Sequence, residues 1–211
     1  MKLTNCLLIF ICLLLTFSSI AQLQPHALFT NDMILQRDVA VPIWGWAAAS
    51  EKITVTFNGK LYAGKADKNG KWRILLPATP AGGPYDLKIA GKSKTINLTN
   101  VLFGDVWVAS GQSNMEWMMS DVNNAVKEIA AASDSKIRHF KVPHSYSDTP
   151  QDKLDGGPWQ AVSPQTVGNF SAVGYFFARE LRKNMDVPIG ILNTSWGGSR
   201  LEPWMSSESL G

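Results

Sequence analysis

The sequence predicts an α/β domain preceded by a small antiparallel β-sandwich, and three observations carry that expectation. Residues 25 to 99 hold short alternating apolar runs separated by turn signals, the pattern of strands buried on one face. From Val101 onward the pattern changes to strand, helix, strand, helix, strand, as in a mostly parallel sheet covered by helices. Just past that change, Gly104-Asp105-Val106-Trp107-Val108-Ala109-Ser110-Gly111-Gln112-Ser113-Asn114-Met115-Glu116-Trp117 reads as a buried strand turning sharply into a helix, with Ser113 at the corner.

The chain begins with a segment of a different kind. Met1-Lys2, the apolar run Cys6 to Phe17 and Ser19-Ile20-Ala21 have the charged start, short apolar core and cleavage site of a secretory signal over residues 1–21. About 12 apolar residues are too few to span a bilayer as a helix, which needs about 20. The mature chain is therefore expected to start at Gln22, to be exported to the periplasm or beyond, and to contain no membrane span. Both cysteines, Cys6 and Cys12, belong to the signal, so the exported part forms no disulfide and relies on an ordinary apolar core. A composition of 45% hydrophobic and 18% charged residues is sufficient for one. The net charge of +3 is small and scattered, which argues against a nucleic-acid partner. No His/Cys cluster has metal-ligand spacing, so neither a metal nor a cofactor is expected.

Residues 22–100 form the expected sandwich. Ile53, Val55 and Phe57 share one face of a run, as do Trp72, Ile74 and Leu76, and Leu87 and Ile89 repeat the alternation. Asn58-Gly59 is a type I′ hairpin signal, because both positions tolerate positive φ; Asn69-Gly70, Gly82-Gly83-Pro84 and Gly91-Lys92 mark further turns.

Residues 101–211 form the expected α/β part. After Ser113 a helix carries Val122, Ala125, Val126 and Ile129 at helical spacing, with Asp121 as its N-cap. Lys136 to Val142 reads as a strand, and a loop rich in Pro, Gly and Asp follows from Pro143 to about Pro164. Ser171 caps the next helix, whose buried face is assigned to Val173, Phe176, Phe177 and Leu181. Val187 to Asn193 is the apolar run of a central parallel strand.

The chemistry lies at the ends of these strands. At a strand's carboxyl end the Ser113 hydroxyl faces the crevice where open α/β sheets bind ligands. Its own N–H, with others of the turn, is placed to meet an oxyanion. The string is not the G-x-S-x-G elbow of α/β-hydrolases, since Gly111 precedes Ser113 by two and Asn114-Met115 follows. A second turn, Asn193-Thr194-Ser195-Trp196-Gly197-Gly198, sets paired glycines at another strand end, where backbone approaches a ligand with no Cβ in the way. A serine is a poor nucleophile at neutral pH and needs both a base and charge-stabilising donors.

GDVWVASGQSNMEW resembles the nucleophile block of the sialate O-acetylesterase family, a branch of the SGNH hydrolases. The likeness continues in Leu28 to Arg37, Val41 to Ala47 and Ala81 to Tyr85, and downstream in Asn169 to Phe177 and Asn193 to Trp204, six strings in the family's order. It implies a three-layer α/β/α hydrolase domain, Ser113 as nucleophile and an acyl-enzyme intermediate. It also implies an oxyanion hole made by the amides of Ser113 and Gly198, with Gly197 the near alternative. The implied substrate is an O-acetylated sugar or glycan. Gln112, Asn114, Asn193, Trp196, Arg200 and Glu202 are the candidates to line its pocket.

The same likeness exposes a gap. The family's base and orienting acid come from a late Asp-x-x-His block, and no Asp-x-x-His occurs in these residues. His26 lies beside the expected cleavage site, His139 reads as a strand residue, and His144 as a surface loop residue. The catalytic Asp and His are accordingly expected beyond residue 211, and the chain on its own is expected to be silent. Ser110 reads as lying within the strand, and Ser195 and Ser199 lack the Gly-Gln context of Ser113. Trp107, Trp117 and Trp159 are assigned to packing, whereas Trp196 and Trp204 border the site. Arg200 and Glu202 either meet substrate or pair with each other at the surface. The alternative to an exported carbohydrate O-acetylesterase is a non-catalytic carbohydrate-binding or adhesive module; within the esterases, the alternative is an acetylxylan-type substrate.

Overall fold

The computed structural model describes residues 22–210, so the expected signal segment with Cys6 and Cys12 lies outside the described residues. The fold is mixed α/β with two sheets and few helices. One sheet has three strands in the order β1 (Gln24–Pro25), β3 (Val41–Trp46) and β6 (Lys71–Leu76), all antiparallel. The larger sheet runs β10 (Gln160–Val162), β9 (Asp134–Lys141), β11 (Ile189–Asn193), β8 (Thr95–Ala109), β7 (Gly82–Ala90), β4 (Lys52–Phe57) and β5 (Lys60–Lys65). β2 (Ile34–Gln36) pairs alongside β8 in parallel.

The alternating runs form strands because every second side chain enters one apolar cluster. Ile53, Val55, Phe57, Trp72, Ile74, Leu76, Leu87 and Ile89 are all buried within it, together with Ile43 and Phe103. The hairpin joining β4 to β5 turns at Asn58 and Gly59 with φ of 50° and 73°, the positive values that a type I′ turn requires. Glycine and asparagine reach that region at low cost, which explains why the register of the pair is fixed there.

β8 is 15 residues long and joins two kinds of pairing. Its first part is antiparallel to β7, and its last five residues are parallel to β11. The change in sequence pattern near residue 100 therefore falls inside a continuous strand. β11 lies between β8 and β9 and is parallel to both, as its unbroken apolar run requires of a strand covered on both faces.

The helices depart from expectation in two places. After Ser113 there is first a single turn, α1 (Ser113–Glu116), then a 3-10 turn at Met119–Asp121, and only then α2 (Ala125–Ala131). Asp121 thus closes a 3-10 turn instead of capping a helix; the residue before α2 is Asn124, at φ 59°. Val126, one of the residues at that helical spacing, is exposed. α3 (Ala172–Asn184) begins at Ser171, whose hydroxyl accepts the Gly174 N–H at 3.1 Å, as predicted. Its buried face is instead Ala172, Gly174, Tyr175 and Ala178, with Phe176 and Leu181 at the margin and Val173 and Phe177 exposed. Small residues win because α3 lies close on β11: the Cβ position of Gly174 is already 3.2 Å from Ile191. Phe177 meets Trp107 edge-on at 5.1 Å, so neither is buried as a core residue.

The loop from Pro143 carries Trp159 back to the amino-terminal half. Trp159 is buried beside Phe140, and its indole N–H donates to the Leu28 carbonyl at 2.9 Å. Among the described residues, no helix is long and apolar enough to cross a membrane.

Candidate active site

Parallel pairing brings three strand ends to one edge. Asn193, the last residue of β11, is level with Ala109 of β8 on one side and with Lys141 of β9 on the other. Main-chain bonds then tie the outgoing turns together: Thr194 N–H to Ala109 O, Trp196 N–H to Gly111 O and Val142 N–H to Asn193 O, each at 2.9 Å. Open sheets present their ligand crevice at this edge, because helices and loops diverge there.

Ser113 is the first residue of α1 and is exposed. Gly111 at φ 138° makes the corner, and the Gln112 carbonyl accepts the amides of Met115 and Glu116 at 3.1 and 3.0 Å. Ser113 lies in a shallow cleft with Glu116, Trp117, Met118, Asp121 and Lys141. Trp117, assigned from sequence to packing, is instead exposed beside Ser113, its indole N–H donating to Asp121 O at 3.1 Å. It faces out because the chain leaves α1 after one turn, before a helix face is established.

The glycine turn abuts the serine turn. A Cβ on Gly197 would stand 2.8 Å from Glu116 Oε2 and 3.4 Å from the Ser113 Cα, so this residue has to be glycine for the two turns to meet. Gly198 has φ of 74° and open space around its Cβ position. The Gln112 amide donates to the Ser199 carbonyl, a second link between the same turns.

The side chain at the centre of this junction is one that sequence reasoning passed over. Glu116 Oε2 accepts the Gly197 N–H, while Oε1 accepts Lys141 Nζ at 3.1 Å and lies 2.7 Å from His144 Nε2. Burial pushes this carboxyl up, but the Gly197 amide, Lys141 and His144 together hold it below its ordinary value. His144 is not a free surface residue as expected. Its ring stacks on Trp196 at 4.4 Å and 3°, and Nε2 also lies 3.1 Å from the Ser195 carbonyl. With a carboxylate and a carbonyl both facing Nε2, that nitrogen carries the proton. The available signal was the position of Glu116, one helical turn after Ser113 and hence on the same side of α1.

The other predicted residues divide by exposure. Asn193 is buried and its Oδ1 accepts the Ser195 N–H at 2.9 Å and hydroxyl at 2.5 Å, so it builds the glycine turn instead of lining the cleft. Asn114, Arg200 and Glu202 are exposed, and no ion pair joins Arg200 to Glu202 among the described residues. Trp196 and Trp204 both border the hollow next to His144, with Trp204 Nε1 bonded to Ser199 Oγ at 2.9 Å. Ser195 is buried, Ser199 donates to Trp196 O at 2.7 Å, and Ser110 lies just past the end of β8 instead of within it. His139 is a buried strand residue, as expected. His26 is buried between aromatic rings in the amino-terminal half, where burial lowers its pKa.

Residues 103–210 match the family of carbohydrate esterases described as sialic acid-specific acetylesterase. The sialate O-acetylesterase of Rattus norvegicus is 34% identical over 85% of this chain and 37% of its own length. The sialate O-acetylesterase of Homo sapiens is 32% identical over 85% of this chain and 38% of its own. A solved carbohydrate acetylesterase from Xanthomonas citri superposes with a TM-score of 0.87 at 47% identity, over 89% of this chain and 44% of that one. The chain thus spans less than half the length of each of these relatives. With the serine corner and the glycine turn both inside the matched region, the chain belongs to the sialic acid-specific acetylesterase family of carbohydrate esterases.

Proposed function

We propose that the protein is an exported carbohydrate O-acetylesterase that removes acetyl groups from sialic acid or a related glycan, with Ser113 as nucleophile. The observation that carries this reading is the contact of the Ser113 corner with the Gly197-Gly198 turn at the carboxyl ends of adjacent parallel strands. Ser113 Oγ attacks the acetyl carbonyl carbon and passes its proton to a base; the sugar oxygen leaves with a proton, and water then releases acetate from the acetyl-serine. The developing oxyanion is held by main-chain amides of the two turns, and a donor of this kind is worth about 3 kcal/mol of transition-state stabilisation.

In this reading the base lies outside residues 22–210. His139 is buried within its sheet, His26 belongs to the other half, and His144 Nε2 is turned to Glu116 and Ser195. The fold is read as an SGNH-like three-layer domain from residue 101, following a β-sandwich over residues 22–100 and a signal over residues 1–21. Trp117, Trp196 and Trp204 offer apolar faces on which a sugar ring stacks.

The test is acetate release from O-acetylated sialic acid and from acetylated xylan, by the enzyme and by Ser113→Ala. The substitution is expected to reduce kcat by at least about 1,000-fold with the melting temperature unchanged, because it removes the atom that forms the acyl bond and nothing that packs. Near-normal turnover by Ser113→Ala would sink the assignment.

A further inference from the structure

We propose that Glu116 is a positioning residue whose carboxylate clamps the glycine turn, the end of β9 and the His144 loop against the serine helix, and so sets the geometry of the oxyanion donors. The inference rests on the reading of Ser113 as nucleophile.

Three chain segments converge on this one side chain. Its Oε2 takes the Gly197 amide, and its Oε1 takes Lys141 Nζ at 3.1 Å and His144 Nε2 at 2.7 Å. Each bond is charge-assisted, the stronger class of hydrogen bond. Apart from the carboxylate, the glycine turn is tied to the end of β8 and to the serine turn by one side-chain bond from Gln112 and by main-chain bonds from Thr194 and Trp196, none of which holds Gly197 or Gly198. Gly197 lacks a side chain where a Cβ would strike Glu116 Oε2 at 2.8 Å, so the turn is shaped to admit the carboxylate.

The clamp also separates the roles of the two glycines. The Gly197 amide is committed to Glu116, whereas the Gly198 amide donates to no other described residue and remains free for an oxyanion. Both glycines lie on one short turn, so the distance from Ser113 to the Gly198 amide follows the length of the Gly197 to Glu116 contact. A misplacement of about 1 Å at such a site costs about 100-fold in rate.

The cluster is not explained by stability alone. A partly exposed ion pair at the surface contributes at most about 1 kcal/mol, yet here three polar groups from two strand ends are spent on one carboxylate beside the serine. His144 is locked in turn by stacking on Trp196. Through it, the carboxylate also fixes the ring that walls the neighbouring hollow.

Steady-state kinetics on p-nitrophenyl acetate by the full-length enzyme, including the residues that supply the base, decide the matter, with Glu116→Gln, Glu116→Ala and Ser113→Ala assayed side by side. Glu116→Gln keeps the size and one acceptor oxygen but loses the charge, and kcat is expected to fall about 10-fold with KM within about 2-fold. Glu116→Ala releases the Gly197 amide and is expected to lose about 100-fold in kcat. Melting curves accompany each variant, and the isosteric Gln variant decides if the Ala variant fails to fold. A Gln variant with unchanged kcat, one with raised KM and unchanged kcat, or losses that track loss of fold would each overturn the clamp. Ser113→Ala separates the two claims: activity retained there overturns the nucleophile itself, whereas activity lost there and unchanged in Glu116→Gln overturns only Glu116.

Discussion

His139 is enclosed in β9, its ring stacked on Phe170 at 4.4 Å and 11° and its Nε2 buried without a hydrogen-bond partner. Burial, helped by the charge of Lys141, lowers its pKa to about 4, so the folded protein holds it neutral. The unfolded chain binds a proton there near pH 6.5, and the folded one resists until about pH 4. Stability from this group is therefore complete above pH 6.5 and lost as pH falls towards 4. The difference amounts to about 2.5 kcal/mol between pH 7 and pH 4.5. Urea unfolding of the native protein and of His139→Leu at those two pH values is expected to show the loss in the former and a smaller one in the latter. A His139 reading as a plain strand residue was available from its place in an apolar run. The function of Glu116 was not, because its partners Lys141, His144 and Gly197 meet only through the parallel register of three strands. No spacing along the chain encodes that meeting.

At the level of elements, α3 shows what pattern reveals and what it hides. The cap at Ser171 was legible, since a serine before an apolar-periodic run supplies the acceptor that the first helical turn lacks. The buried face was not, because large apolar residues normally mark it, whereas here Gly174 and Ala178 face the sheet and leave Val173 and Phe177 outside. The strands of the amino-terminal half were legible for the opposite reason, their period of two being carried by bulky residues. Ser171 does more than cap. Its hydroxyl donates to Met115 O at 2.6 Å, and the Ala172 amide donates to Trp117 O at 2.8 Å, so α3 holds α1 at its serine corner. Ser171→Ala is expected to destabilise by about 2 kcal/mol, one part from the cap and one from the half-buried Met115 carbonyl that loses its side-chain donor. Thermal unfolding measures that loss. The same variant is expected to lower esterase kcat several-fold, because the α1 corner loses its support.

Across the whole molecule, Arg138 joins what the sequence pattern divides. It is buried, and its guanidinium donates to Asn100 O at 2.5 Å, Asn100 Oδ1 at 3.1 Å, Met33 O at 3.4 Å and Ser135 O at 3.2 Å. Burial lowers its pKa, with Asp32 opposing, and a guanidinium stays charged throughout. β9 is thereby fastened to the start of β8 and to the segment ahead of β2. Arg138→Met removes the buried guanidinium's bonds to Asn100, Met33 and Ser135, with Met33 O still accepting the Leu102 N–H at 3.0 Å, and is expected to cost about 2 kcal/mol. Arg138→Lys is expected to recover less than half of it, since an ammonium cannot reproduce the planar fork. Guanidinium unfolding monitored by tryptophan fluorescence checks both values, and the transition is expected to remain single.

The long strand β8 also dictates an order of events during synthesis. Its first part finds its partner β7 immediately behind it, so the ribosome has barely released residue 109 before that pairing is possible. The second part waits for β11, which is translated only at residues 189–193. Until then residues 105–109, the stretch leading to the serine, have no strand partner among the described residues, and a nascent chain arrested before residue 189 displays them unpaired. The amino-terminal half thus serves as a template on which the half carrying Ser113 is later assembled, a task that ends once that pairing is made.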